Sequence, residues 1–471
     1  MIRKLLLLAF VAYSSCFCGC VHAPKYQRPG LPVPTAWPES AASQVGATVA
    51  PETSGMKWQE FFTDKGLQSV ITLALANNRD LRTAALNVEK VQAQYRIQRA
   101  EQFPTVSASV TGDLYRLPSM EVYGFSIPQA VTVQEYTVNL GAASWELDLF
   151  GRIRSLKSAA LERYLATEQT RSATQISLVA AVAGSYLALA ADRDNLRLAQ
   201  STLDAQQATY ELIRRTRDMG IASDLDLRQA QSQVEAARVD IARYTGQVAL
   251  DENALNLLVG TPVSASLLPS ELGSDRALKD IAPGLPSEVL LRRPDILTAE
   301  HQLKAAYANI GAARAAYFPQ ITLTAGGGLM SSQLHDLFQG NPGTWNFAPQ
   351  LVWPIFDAGA RKANFQAAQV DRDIAIAEYE KAIQSAFREV SDSLTLRTRL
   401  MEQQDAQQSL VHTLEETYRL SEARYKRGID SYLSVLVAQR SLYASQQALV
   451  SLRLARLSNL VTLYKVLGGG A

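Results

Sequence analysis

Two patterns of apolar and polar positions alternate along this chain, and the whole sequence of patterns occurs twice. Residues near 105–115 switch strictly between apolar (Val106, Ala108, Val110, Leu114) and polar (Ser107, Ser109, Thr111, Asp113). Residues near 132–145 do the same, with Tyr136, Val138 and Leu140 against Thr137 and Asn139. In the second half Ile321, Leu323 and Ala325 alternate with Gln320, Thr322 and Thr324 near 319–330. A return segment near 344–356 carries Phe347, Leu351 and Trp353 around Pro349 and Gln350. Period two predicts strands with one apolar and one wet face. Trp145 and Trp353, with Phe150 and Phe356 at the strand ends, suit an interfacial aromatic girdle.

Each strand pair is followed by long stretches of helical period without internal proline, about 152–219 and 222–258, then 359–427 and 430–466. Ile176, Val179, Ala183, Tyr186, Leu187 and Ala190 recur at threes and fours. At 1.5 Å per residue the longer stretches run about 100 Å and the shorter about 55 Å. Such lengths predict coiled-coil or bundle packing. Gly220 and Gly428 stand where a left-handed C-cap is needed. The chain therefore makes two helical hairpins, with tips at Gly220, Ile221 and Ser223 and at Gly428, Ile429 and Ser431.

A tandem duplication underlies the pattern. Asn78-Arg79-Asp80-Leu81 corresponds to Arg293-Pro294-Asp295-Ile296, and at the same offset Arg99 meets Arg314 and Phe103-Pro104 meets Phe318-Pro319. Further on, Gly220-Ile221 meets Gly428-Ile429, Leu225 meets Leu433, and Val259-Gly260 meets Leu467-Gly468. The repeats span 57–260 and 285–468, joined by a proline-punctuated linker, 261–284. Each opens with a helical segment, about 64–102 and 286–317, that stops at Phe-Pro. Gly326-Gly327-Gly328 reads as a device for bending its strand.

The N-terminus reads as an export signal over 1–19, with Arg3 and Lys4 before the apolar run Leu5–Ala12. That run is too short to span a bilayer, which takes ~20 apolar residues, and no other segment reaches that length. A bilayer crossing would fall to the strands. All three cysteines, Cys16, Cys18 and Cys20, lie here, so the mature chain has no disulfide framework. Phe17-Cys18-Gly19-Cys20 resembles a lipobox that would lipidate Cys20. Cys16, Cys18 and an ordinary signal cleavage near Gly19 remain alternatives. Residues 20–56 form an extended arm, punctuated by Pro24, Pro29, Pro32, Pro34 and Pro38.

Composition narrows the function. The 46 Lys+Arg and 45 Asp+Glu nearly balance, which gives no case for nucleic acid. His22, His301, His335 and His412 are scattered and form no zinc pattern, and there is no phosphate loop, so neither a metal, a cofactor nor catalysis is expected. Four strands are too few for a membrane barrel, which starts at about eight. Several chains must pool strands: two would give about eight, three about twelve.

The chain resembles the outer membrane factor family of TolC-like channels, lipoprotein branch. The resemblance rests on Cys20 with Pro24, Tyr26 and Pro29; Trp58-Gln59-Glu60-Phe61-Phe62; Ala74-Leu75-Ala76-Asn77-Asn78; Trp145-Glu146-Leu147-Asp148-Leu149-Phe150-Gly151-Arg152; Arg292-Arg293-Pro294-Asp295-Ile296; Arg424-Tyr425-Lys426-Arg427-Gly428; and Leu463-Tyr464-Lys465-Val466-Leu467-Gly468. It implies a mixed α/β membrane protein: a homotrimer whose 12-stranded transmembrane β-barrel, four strands per chain, continues into a long periplasmic α-helical barrel. The implied partners are a periplasmic adaptor, an inner-membrane RND-type transporter and outer-membrane lipid. The implied role is a passive exit duct for drugs or other small toxic solutes. A duct for type I protein secretion is the alternative, followed by a periplasmic adaptor lipoprotein, which would need only one hairpin.

The resemblance also places a periplasmic gate at the hairpin tips, where an adaptor would dock. Leu433 falls at an apolar constriction position. The aspartate expected one turn later is Val437, the tethering tyrosine is Tyr425, and the position of its arginine partner holds Asp430. Leu433 and Val437 share one helical face, which predicts a more hydrophobic closure. Acidic character would come from Asp430, or from Asp224 and Asp226 in the first tip. The plainer alternatives are helix packing for Leu433 and Val437 and a solvated helix start for the aspartates.

Overall fold

The computed structural model describes residues 23–34, 37, 56–122, 125–127, 129–273, 278 and 287–469. The signal segment and Cys16, Cys18 and Cys20 lie outside the described residues. Two compact units emerge: the first takes 88–167 and 299–379 with the start of the arm, the second 30–87, 168–298 and 380–471.

The first unit holds one antiparallel sheet of four strands in the order β1-β4-β5-β6: β1 Val106–Leu117, β4 Val131–Glu146, β5 Gln320–Ser331 and β6 Gly343–Val352. A small ribbon, β2 Met120–Val122 with β3 Phe125–Ile127, interrupts the β1–β4 connection and was not foreseen in the sequence. The predicted alternation sets the pairing. Val110 faces Val138, and the hydroxyls of Thr111 and Thr137 meet at 2.5 Å on the polar side. Val110, Leu114, Trp345, Phe347 and Leu351 stay exposed on the apolar side. β4 carries a bulge between Ala142 and Trp145, with Ser144 at φ 53°.

Two details depart from expectation. The last strand ends at Val352, because Pro354 has no N–H for a ladder, and Trp353 instead donates its indole N–H to the Tyr317 carbonyl at 3.2 Å. Nearby, Phe150 just past the end of β4 stacks on Phe318, 4.9 Å between centroids. The triple glycine is paired on both sides rather than bent away. A Cβ at Gly328 would collide with the Val138 carbonyl, so close backbone approach explains that residue.

The four long helices fall where the period put them: α4 Arg152–Asp218, α5 Asp224–Val259, α7 Ala360–Lys426 and α8 Tyr432–Val466. α4 contains an 18-residue window long and apolar enough, by length and composition, to cross a bilayer, a longer apolar stretch than the sequence pattern suggested. The window is 44% buried, with Val179, Val182, Ala183 and Tyr186 in the core, as a bundle helix requires.

The helical segment predicted over 64–102 is two helices after a short α1 Trp58–Phe61: α2 Lys65–Asn77 and α3 Arg79–Ala100. Asn78 breaks them. Its Oδ1 accepts from Leu81 N at 2.8 Å, and its Nδ2 donates to the Leu258 carbonyl at 2.8 Å, at the end of α5. The duplicated position is Arg293, just before α6 Pro294–Ala315. Arg293 Nη1 donates to the Val466 carbonyl at 2.7 Å, the duplicated partner of Leu258. Both repeats thus satisfy an orphan carbonyl at the end of their last helix with the same side-chain position. Arg293 also pairs with Asp295 and Glu389. Phe61 stacks on Tyr464 at 4.5 Å and fills the core beside this point.

Candidate functional site

The tips turn alike. Gly220 (φ +78°) and Gly428 (φ +71°) are left-handed, as predicted. Gly220 N donates to Arg217 O at 2.8 Å and Ile221 N to Thr216 O at 2.9 Å. In the second tip Gly428 N donates to Tyr425 O at 2.9 Å and Ile429 N to Arg424 O at 3.0 Å.

Beyond the glycine the tips diverge. Ser223 starts α5 with a capping box: its Oγ accepts from Asp226 N at 3.1 Å, and its own N donates to Asp226 Oδ2 at 3.2 Å. The Asp226 carboxylate is thereby engaged with its own helix start. Ser431 starts α8 without a side-chain cap bond. There Asp430 makes a two-point ion pair with Arg424, Nε–Oδ2 2.6 Å and Nη2–Oδ1 3.0 Å. The Arg424 guanidinium holds the Asp430 carboxyl below the usual carboxylate range. The resemblance gave Asp430 no partner, and Arg424, six residues upstream, is brought to it by the turn.

Tyr425 packs its ring against Tyr432, 5.7 Å between centroids. Tyr432 sits in a tip core with Ile213, Leu227, Ala230, Val435 and Leu436. Burial first, then the neighbouring Tyr425, Tyr418 and Asp226, pushes its phenol up to about 12. Its hydroxyl has no hydrogen-bond partner among the described residues. Leu436 is 6% exposed, whereas Leu433 is 53% and Val437 57% exposed. Leu433 and Val437 therefore face away from their own chain's core. Met219, Ile221, Leu225 and Ile429 of the two tips are exposed as well.

A second site binds the arm. Arg28 reaches Glu300 with Nη2 at 2.9 and 2.7 Å from the two oxygens, Tyr26 donates its hydroxyl to Oε1 at 3.0 Å, and Lys304 lies 3.2 Å away. Burial would raise the Glu300 carboxyl, but the hydrogen bonds from Arg28, Lys304 and Tyr26 outweigh it and hold the group low. Tyr26 also meets Tyr307 edge-on at 5.7 Å, and Ala23 sits where a Cβ on Gly311 would have to go. Only Tyr26 of this set stood out in the sequence.

The model of the outer membrane efflux protein family matches residues 70–261 and 285–469. Probable efflux pump outer membrane protein TtgC of Pseudomonas putida is 48% identical over 100% of this chain and 96% of that protein. Among solved structures, a membrane protein from Pseudomonas aeruginosa aligns with TM-score 0.89 and 39% identity, covering 95% of this chain and 97% of that one. The open state of the MtrE outer membrane channel of Neisseria gonorrhoeae aligns with TM-score 0.85 and 37% identity, covering 96% and 98%.

Proposed function

This chain belongs to the outer membrane efflux protein family, and we propose that it is the outer-membrane channel of a tripartite efflux pump, a homotrimer that works as a passive exit duct. The observation that carries the reading is the four-stranded sheet with an apolar face and two edges unpaired among the described residues. Lipid cannot satisfy open edges, so copies of the chain must complete the sheet. An inner-membrane RND-type transporter supplies the energy and a periplasmic adaptor the link. The tips at Gly220, Ile221, Ser223, Gly428, Ile429 and Ser431 are the adaptor's docking surface. Lipidation at Cys20 ties the arm to the membrane.

Leu433 and Val437 form the gate. Both project from one face of α8, away from the tip core, and three copies bring six apolar side chains into a closure without the usual acid. Tyr425 supports it by packing under Tyr432, and Asp430 by its pair with Arg424; Asp226 contributes through the cap of α5. Planar-bilayer recording of the purified oligomer tests the reading, alongside uptake of a large antibiotic by whole cells. Leu433→Ser and Val437→Asp should each raise conductance and leak. Unchanged opening in both variants would remove the gate from these residues.

A further inference from the structure

β4 and β5 are the place where the two repeats pair inside one chain. Ala142 faces Ala325, Trp145 faces Leu323, and Leu147 N donates to the Ile321 carbonyl at 2.8 Å. β1 and β6, at the sheet's edges, are the duplicated counterparts of β5 and β4 and have no further strand partner among the described residues. The duplication carries Ala325, Leu323 and Ile321 back onto Val110, Ala108 and Val106. It carries Trp145 and Leu147 forward onto Trp353 and Ile355. Across the bulge the match shifts by one: Ala142 pairs with Val106 and Leu351 with Ile321, so Ala142 corresponds to Leu351.

We infer that β6 of one protomer pairs antiparallel with β1 of the next in the register of this internal junction: Leu351 opposite the partner's Val110, Phe347 opposite the partner's Leu114, Trp345 opposite the partner's Arg116, and Gln350 opposite the partner's Thr111. Just past the strand, the Ile355 N–H donates to the partner's Val106 carbonyl. The inference rests on the trimeric channel reading and adds the seam between copies.

The side-chain pattern arrives at the same parity independently. Trp345, Phe347 and Leu351 on β6 and Val110 and Leu114 on β1 are exposed and lie on the apolar face. In this register Leu351 meets Val110 and Phe347 meets Leu114, while Trp345 lies over the Arg116 side chain on the same face. A slip of one residue would set Phe347 against Asp113 and Leu351 against Ser109, moving apolar side chains to the wet face. A slip of two keeps the faces matched, and there the duplication alone decides. On the inner face Gln350 meets Thr111, beside the hydroxyl pair Thr111 already makes with Thr137.

Cysteine pairing reads the register directly. The native cysteines are confined to positions 16–20. Residues directly opposite across two strands have Cβ atoms about 4.5–5.5 Å apart, against about 7–8 Å for diagonal neighbours, and disulfides favour about 3.5–4.5 Å. The full-length protein in outer-membrane vesicles would carry Gln350→Cys with Thr111→Cys, or Leu351→Cys with Val110→Cys on the other face. Mild oxidation should convert either to a covalent trimer that reductant returns to single chains. Gln350→Cys paired with Ser109→Cys or with Asp113→Cys should stay uncrosslinked. Thr137→Cys with Thr111→Cys should close within the chain and certifies a folded sheet. Preferential linking of a shifted pair, or no linking with the certifying pair closed and the trimer intact, overturns the register and leaves the channel reading standing. A wild-type protein that never forms a heat-dissociable trimer overturns both.

Discussion

The two hairpin tips descend from one ancestral unit and solve the same turn with different chemistry. Arg217 and Asp224, a loose pair at 3.7 Å in the first tip, correspond to Tyr425 and Tyr432, an aromatic pair in the second. Thr216 and Ala222, joined by an Ala222 N to Thr216 O bond at 3.3 Å, correspond to Arg424 and Asp430, joined by an ion pair. Ser223 has its capping partner Asp226, while Ser431 is followed at that position by Ser434. The first tip therefore fastens itself by local bonds at its helix start. The second packs its helix start into a core and leaves an apolar stripe, Leu433 and Val437, unused. The duplicated stripe in the first tip is Leu225 then Gln229, which turns polar after one turn. Divergence of this kind would free one tip to hold shape and, on the proposed gate, the other to close a passage.

The largest expected effect tests that division of labour. Exposing a leucine that closure buries forfeits about 2 kcal/mol per side chain. Leu433→Ser should then raise antibiotic leak by more than about tenfold. Leu225→Ser, at the duplicated position, should leave leak within about twofold, because no apolar partner follows it on the helix. Equal leak from both substitutions, measured as uptake at matched expression, would erase the distinction between the tips.

Capping separates the tips next. Ser223→Ala should destabilise the first turn of α5 by about 1 kcal/mol, the cost of losing an N-cap side chain. Ser431→Ala should cost almost nothing, since no cap bond is lost. Amide exchange at the starts of α5 and α8 reads both. A smaller effect, of opposite sign to intuition, is expected at Tyr432→Phe. It removes a buried hydroxyl that has no partner, so thermal stability should stay level or rise by up to about 1 kcal/mol.

Periodicity and duplication made most of the architecture legible. Long helices and strands carry their signal in many residues at once, so their ends fell within a few positions of those expected, and Phe-Pro marked two stops correctly. What escaped depends on one residue and a distant partner. Asn78 reads as ordinary helix until Leu258 supplies the carbonyl that its amide caps. Glu300 reads as one more solvated carboxylate until Arg28 and Tyr26 cover it, leaving 4% of its side chain exposed. At the second tip, the family pattern singled out Leu433 and Val437 but not the Arg424–Asp430 pair, which exists only because the Gly428 turn folds the chain back on itself.

That pair gives the last and smallest contrast. Arg424 is more than half exposed and Asp430 more than a quarter, so the pair's worth in global stability is slight and shrinks with salt. Its pH response is nonetheless signed. Asp430 has its carboxyl held below the ordinary range by Arg424, so whatever the pair contributes is complete above pH about 4 and is lost only as acid drives the group through its lowered value. Channel closure should therefore be flat from about pH 8 to 5 in the native protein. Asp430→Asn should weaken it equally across that interval, and about 1 M salt, with a Debye length near 3 Å, should reproduce much of that weakening. Arg217→Ala in the first tip should change neither profile. A native closure that already fades between pH 7 and 5 would assign the titration to some group other than Asp430, and would take the ion pair out of the second tip's closing mechanism.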